Sequence, residues 1–175
     1  MLCTADADET ISEKSPAKVV EALSKRKALA VYDKMKNEET FTKDMLILGA
    51  DTVVALDGEI MGKPKDRQDA KRMITALQGR AHEVFTGASF VYLDEQDNVT
   101  CHSFHECTKV YFHPMDEAEV IDYVSCGECD DKAGAYGIQG RAMRYIEKIE
   151  GDYQNVVGLP LARICMELKK LGITV

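Results

Sequence analysis

The chain has 175 residues, 45% of them hydrophobic and 30% charged, with a formal net charge of −8. That length fits a single domain, residues 1–175, with a core of its own. The acidic balance argues against a nucleic-acid or membrane surface, because phosphate backbones and anionic lipids do not attract an acidic protein.

In chain order, the acidic start, Met1-Leu2-Cys3-Thr4-Ala5-Asp6, lacks the basic region and apolar core of a signal peptide. No apolar run is long enough to span a bilayer, so the cytoplasm is the expected location, with the six cysteines reduced. Residues 12–36 predict a loop and then a helix, started by Ser15-Pro16, with proline in the first turn. Val19, Val20, Leu23, Ala28, Val31 and Tyr32 recur at helical spacing, interrupted by Lys25-Arg26-Lys27. Residues 45–54 predict a buried strand that carries Asp51 in its far half. Asp57-Gly58 is a tight-turn pair, after which Ile60 and Met61 begin a return strand ending at Gly62-Lys63-Pro64. Residues 66–77 predict a helix capped by Asp66, with Ala70, Met73, Ile74 and Leu77 on one face and Gln78-Gly79 as its stop. Residues 82–93 and 99–112 predict antiparallel strands around a polar turn. Pro114 opens another helix with Met115, Ala118, Val120, Ile121 and Val124 inward. Residues 127–140, with four glycines, predict an ordered loop; 145–149 a short strand; and 159–171 the last helix after a turn at Gly151-Asp152. Helices and strands alternate, so the fold class is α/β, a mixed twisted sheet flanked by helices.

Asp51 stands at the end of an apolar segment, and Lys63 returns after the hairpin-like turn. A carboxylate and an ammonium so placed could hold a metal and a phosphate between them. Taken alone, Asp51 is better read as a turn cap, a common role of a strand-end aspartate. The run 131–140 adds glycines, Lys132 and the amide of Gln139, and together these stretches suggest a nucleotide-handling enzyme. Cys126 and Cys129 form a lone C-x-x-C pair, and His102, His105 and Cys107 lie earlier in the chain; a metal or redox protein is the minor alternative they carry.

Seven short motifs then align in order with one family. They are Asp8-Glu9; Lys27-Ala28; Gly49-Ala50-Asp51-Thr52-Val53-Val54; Gly62-Lys63-Pro64; His82-Glu83-Val84-Phe85-Thr86-Gly87; the run from Asp131 through Gly134 and Gly137 to Gln139-Gly140; and the run from Gly151-Asp152 to Leu159-Pro160. Over nearly its whole length the chain resembles the Maf family of nucleoside triphosphate pyrophosphatases, also called septum formation inhibitor Maf. The resemblance implies cleavage between the α and β phosphates, yielding the monophosphate and pyrophosphate with a divalent cation, Mg²⁺ or Mn²⁺. It implies Asp51 as the catalytic carboxylate and Glu9 as its metal or water partner. Lys63 and Lys27 would be phosphate lysines, Lys132 a further one, and Thr52 and Gln139 the residues that select the base. Asp51-Thr52 together with Gln139 is the pattern of the subgroup that acts on dTTP and UTP. Family members usually begin with an apolar strand and a Ser-x-Ser-Pro-Arg-Arg loop, whereas this sequence opens just ahead of Asp6. The expectations drawn from that difference are reduced turnover and a homodimer that covers the exposed sheet. The alternative function is a catalytically impaired relative that binds a nucleotide or a protein partner.

Overall fold

The computed structural model describes residues 13–173. Five strands, β1 (Ile47–Leu56), β2 (Glu59–Met61), β3 (Ala81–Leu93), β4 (Val99–Phe112) and β5 (Ile146–Glu150), form one sheet in the order β2-β1-β3-β4-β5. Each pairing is antiparallel, and helices flank the sheet. The β1–β2 hairpin turns at Asp57-Gly58, both at positive φ, as a tight hairpin turn requires.

Helix α1 (Pro16–Asn37) lies against one face of the sheet. Pro16 occupies its first turn, and the Lys25-Arg26-Lys27 triplet does not interrupt it. Val19, Val20 and Leu23 pack on Val53 and Phe85, while Ala28 and Tyr32 pack on Ile47 and Val91. The opposite face, bearing Val54, Val84 and Val110, is covered by α2 (Arg67–Leu77), α3 (Glu117–Ser125) and the loop through residues 133–138. Helix α4 (Tyr153–Val157) and α5 (Leu161–Lys170) complete this side, with Ile164 and Leu168 on Ala88, Phe90 and Phe104.

Helix α1 approaches the sheet closely at two glycines. A side chain added at Gly49 would lie 2.8 Å from the Ala28 backbone nitrogen, and one at Gly87 2.8 Å from that of Glu21. Both distances are shorter than real Cβ contacts. The helix backbone therefore rests directly on these two glycines. Ser24 bonds Ser89 at 2.8 Å in the same seam, and Ser89 bonds Ser103 at 2.9 Å.

Several sequence-based expectations need correction. Met45 and Leu46 precede β1, and within the strand Leu48 is more than a third exposed, because a strand alternates and only every second residue of an apolar run faces the helix. In α3, Ala118 and Ile121 point to solvent and Tyr123 is buried; the inward stripe is Val120, Tyr123 and Val124, at helical i, i+3, i+4 spacing. The fifth strand is offset by one residue, since Tyr145 closes a 3₁₀ turn, Arg141–Tyr145. Helix α5 starts after Pro160, and α4 stands as a separate five-residue helix, capped by Asp152 and stopped by Gly158 at φ 114°. Among the described residues, no helix is long and apolar enough to cross a membrane.

Candidate active site

Strand β2 covers only the last three residues of β1, pairing with Val54, Ala55 and Leu56. The edge of β1 ahead of them borders a cavity of about 910 Å³ that reaches both faces of the sheet. Because successive strand residues point to opposite faces, Asp51 turns toward α1 and Thr52 toward the opposite side. One cavity thus receives two chemically different walls from neighbouring residues.

On the α1 side, Lys27 extends from the helix and its Nζ donates to Asp51 Oδ1. The pair is partly withdrawn from water, with 11% of the Asp51 side chain exposed and 30% of the Lys27 side chain. Lys27 is therefore not a solvated surface charge, which the surrounding Lys25-Arg26-Lys27 triplet alone would suggest. Its placement follows from Gly49 and Gly87, which let α1 sit deep enough for the ammonium to meet Asp51.

The facing wall is the 131–140 loop. Gly134 and Ala135 both take left-handed backbone, at φ 65° and 61°. A Cβ on Gly134 would lie 2.8 Å from the Val54 side chain, so only glycine permits that approach. The Gly134 amide donates to the Gly62 carbonyl at 3.0 Å, tying the loop to the end of β2 next to Lys63. Lys63, Lys132 and Gln139 all border the cavity and are solvent-exposed. Lys132 pairs with Asp131 at 2.7 Å, and that hydrogen bond lowers the Asp131 carboxyl below its usual range. Both partners are exposed, so the pair is easily exchanged for a ligand anion.

The structure thus brings Lys27, Asp51, Thr52, Lys63, Lys132 and Gln139 to one cavity. Glu9 lies outside the described residues. Among the described residues, no group of three His, Cys, Asp or Glu side chains is arranged to hold a metal. His102 and His105 sit on opposite faces of β4: His102 bonds Glu167 at 3.0 Å and His105 bonds Glu21 at 2.7 Å. Burial pushes the Cys107 thiol up to about 11. Cys129 is buried, and its thiol, 3.7 Å from the Val124 carbonyl, is also shifted upward by burial. Such thiols are packing residues rather than nucleophiles.

Sequence reasoning passed over Glu128, Tyr136 and Thr86. Glu128 stood inside the C-x-x-C run, yet its carboxylate accepts from the Arg141 amide at 2.7 Å and the Tyr123 hydroxyl at 3.3 Å. It occupies the space where a Gly140 side chain would be, which is why that position is glycine. Tyr136 borders the cavity and its hydroxyl bonds His82 Nε2 at 2.8 Å. His82 is 2% exposed, Nδ1 has no hydrogen-bond partner among the described residues, and burial pushes its pKa down to about 4. A histidine whose folded pKa is depressed binds its proton less well than in the unfolded chain. Its stabilising contribution is complete above about pH 6.5 and is lost as pH falls toward 4. Stability against urea should therefore fall between pH 7 and 4.5 by about 2.5 kcal/mol more in the native chain than in His82→Gln. Equal slopes in both proteins would remove His82 as the cause.

A family model described as Maf-like protein matches residues 1–171. The dTTP/UTP pyrophosphatase of Agathobacter rectalis is 45% identical to the chain, over all of the chain and 88% of that protein. The dTTP/UTP pyrophosphatase of Lachnoclostridium phytofermentans is 42% identical, over 98% of the chain and 84% of that protein. A third, from Caldanaerobacter subterraneus subsp. tengcongensis, is 45% identical over 94% of the chain and 75% of its own length.

Proposed function

Because the chain belongs to the Maf family, we propose that it is an enzyme that hydrolyses dTTP and UTP to the monophosphate and pyrophosphate. The observation that carries this reading is the Lys27–Asp51 pair on the wall of a cavity that also holds Lys63 and Lys132. An acidic protein that binds a polyanion must supply local positive charge, and these three lysines supply it.

In the proposed reaction, water attacks the α-phosphorus. A new oxygen–phosphorus bond forms, the bond to the α–β bridging oxygen breaks, and pyrophosphate leaves with the bond's electrons. Asp51 takes the proton of the attacking water, and the hydrogen bond from Lys27 holds its carboxylate in place at the cavity wall. Lys63 and Lys132 hold the phosphates and offset charge on the leaving group.

A divalent ion suits the residues present. Mg²⁺ and Mn²⁺ are commonly held by one or two carboxylates together with substrate phosphates, and Asp51 is a hard oxygen donor at this wall. Asp51, with Glu9 as the second carboxylate implied by the resemblance, would hold it, and it would neutralise charge on the phosphate oxygens. The catalytically impaired binder gains no support from the relatives, which are named as enzymes.

The direct test is pyrophosphate release over a panel of canonical triphosphates with Mg²⁺ or Mn²⁺. The expected result is preference for dTTP and UTP. A clear preference for a purine triphosphate, or no release from any, would overturn the proposal.

A further inference from the structure

Thr52 and Thr86 are opposite each other in the β1–β3 register, with hydroxyl oxygens 2.8 Å apart. That distance does not say which one donates. The next bond does. Thr86 Oγ1 lies 2.8 Å from the backbone carbonyl of Asn155, which can only accept. Thr86 is fully buried and has a single hydroxyl proton, so that proton points at Asn155. Thr52 must then donate its own proton to Thr86. The carbonyl that sets this direction is fixed in place, because the Asn155 side chain donates to the Val84 carbonyl at 3.0 Å and to Thr108 at 2.9 Å.

Thr52 therefore meets the cavity with lone pairs and no proton. Such a group repels ionised phosphate oxygens, and of a base's ring nitrogens it binds only one that carries a proton. Its surroundings point the same way. Thr52 shares its sheet face with Val54 and Val84, and Tyr136, Ile138 and Val156 continue that apolar wall, which suits a flat ring more than a polyanion. We infer that Thr86 is a positioning residue that makes Thr52 an obligate acceptor, so that the site selects a base bearing a ring N–H, the imide of uracil or thymine, and rejects cytosine, whose corresponding nitrogen is itself an acceptor. This inference rests on the proposed pyrimidine triphosphate hydrolysis and adds the device that tells one pyrimidine from another.

The test measures kcat/KM for UTP and CTP in the native protein and in Thr86→Val, Thr86→Ser and Thr52→Val. Valine at 86 removes the acceptor that holds the Thr52 proton, so Thr52 becomes able to donate to cytosine. The UTP-to-CTP ratio should fall by about tenfold or more, the range for one hydrogen bond of correct polarity. Serine at 86 keeps the relay and should restore the native ratio. Thr52→Val leaves Thr86 bonded to Asn155, and it should lose the discrimination as well, which keeps the idea testable if Thr86→Val does not fold. A purely structural role for Thr86 would lower turnover of both nucleotides equally. Unchanged ratios in folded Thr86→Val or in Thr52→Val would overturn the inference while native turnover of UTP stood. Failure of the native protein to release pyrophosphate from UTP or dTTP would instead overturn the proposed function itself.

Discussion

Asp51→Asn should fold normally and lose triphosphate hydrolysis by about a thousandfold, within the range for a positioned general base. Asparagine has the same shape and keeps a carbonyl oxygen toward Lys27, so the α1–β1 seam needs no repacking. What disappears is the charge. An amide cannot take the proton of the attacking water and is a poor ligand for a hard divalent ion. The fold should register little, because Lys27 keeps partial access to solvent and its charge can be hydrated. The check is pyrophosphate release from UTP beside a thermal unfolding curve. Native turnover in the variant would remove Asp51 from the mechanism, and a large drop in unfolding temperature would mark the residue as structural first.

Much of this arrangement was legible in the sequence because the relevant signals are local. Asp57-Gly58 marks the β1–β2 hairpin, Asp66 the start of α2, β-branched and aromatic residues mark β3, and alternation marks β4. The motif order groups Asp51, Lys63 and Gln139, and all three border one cavity. What could not be read was anything decided across the sheet. Lys27 looks like part of a solvated basic triplet until α1 is laid on β1 and its ammonium meets Asp51. Thr86 looks like an ordinary β-branched strand residue until its hydroxyl is seen to point at α4. The inward face of α3 is not legible because hydrophobicity alone does not separate Ile121 from Tyr123; the orientation of a two-and-a-half-turn helix is set by what it packs on. Short α4 carried no periodic signal, five residues being too few for one.

The second large effect lies away from the chemistry. Gly87 sits opposite Asp51 in the register, beneath the backbone of α1 at Val20 and Glu21. A methyl group there would overlap main-chain atoms of the helix, which have no rotamer to escape into. The helix must lift or the strand must bend. Overpacking of this kind costs about 1–3 kcal/mol and more when backbone is the obstacle, so Gly87→Ala should lose about 3 kcal/mol of stability or more. It should also damage activity, since a helix raised by even about 1 Å carries Lys27 away from Asp51, and misplacement on that scale costs on the order of a hundredfold in rate. Gly62→Ala is the matching control: a Cβ there meets nothing within 4 Å, and its backbone is not in the left-handed region, so its stability should be close to native. Denaturant unfolding of the two variants, read beside UTP hydrolysis by Gly87→Ala, separates the causes. If Gly87→Ala unfolds like the native chain and keeps its turnover, then the depth of α1 does not set the Lys27–Asp51 contact, and the close seam under the helix has no part in building the site.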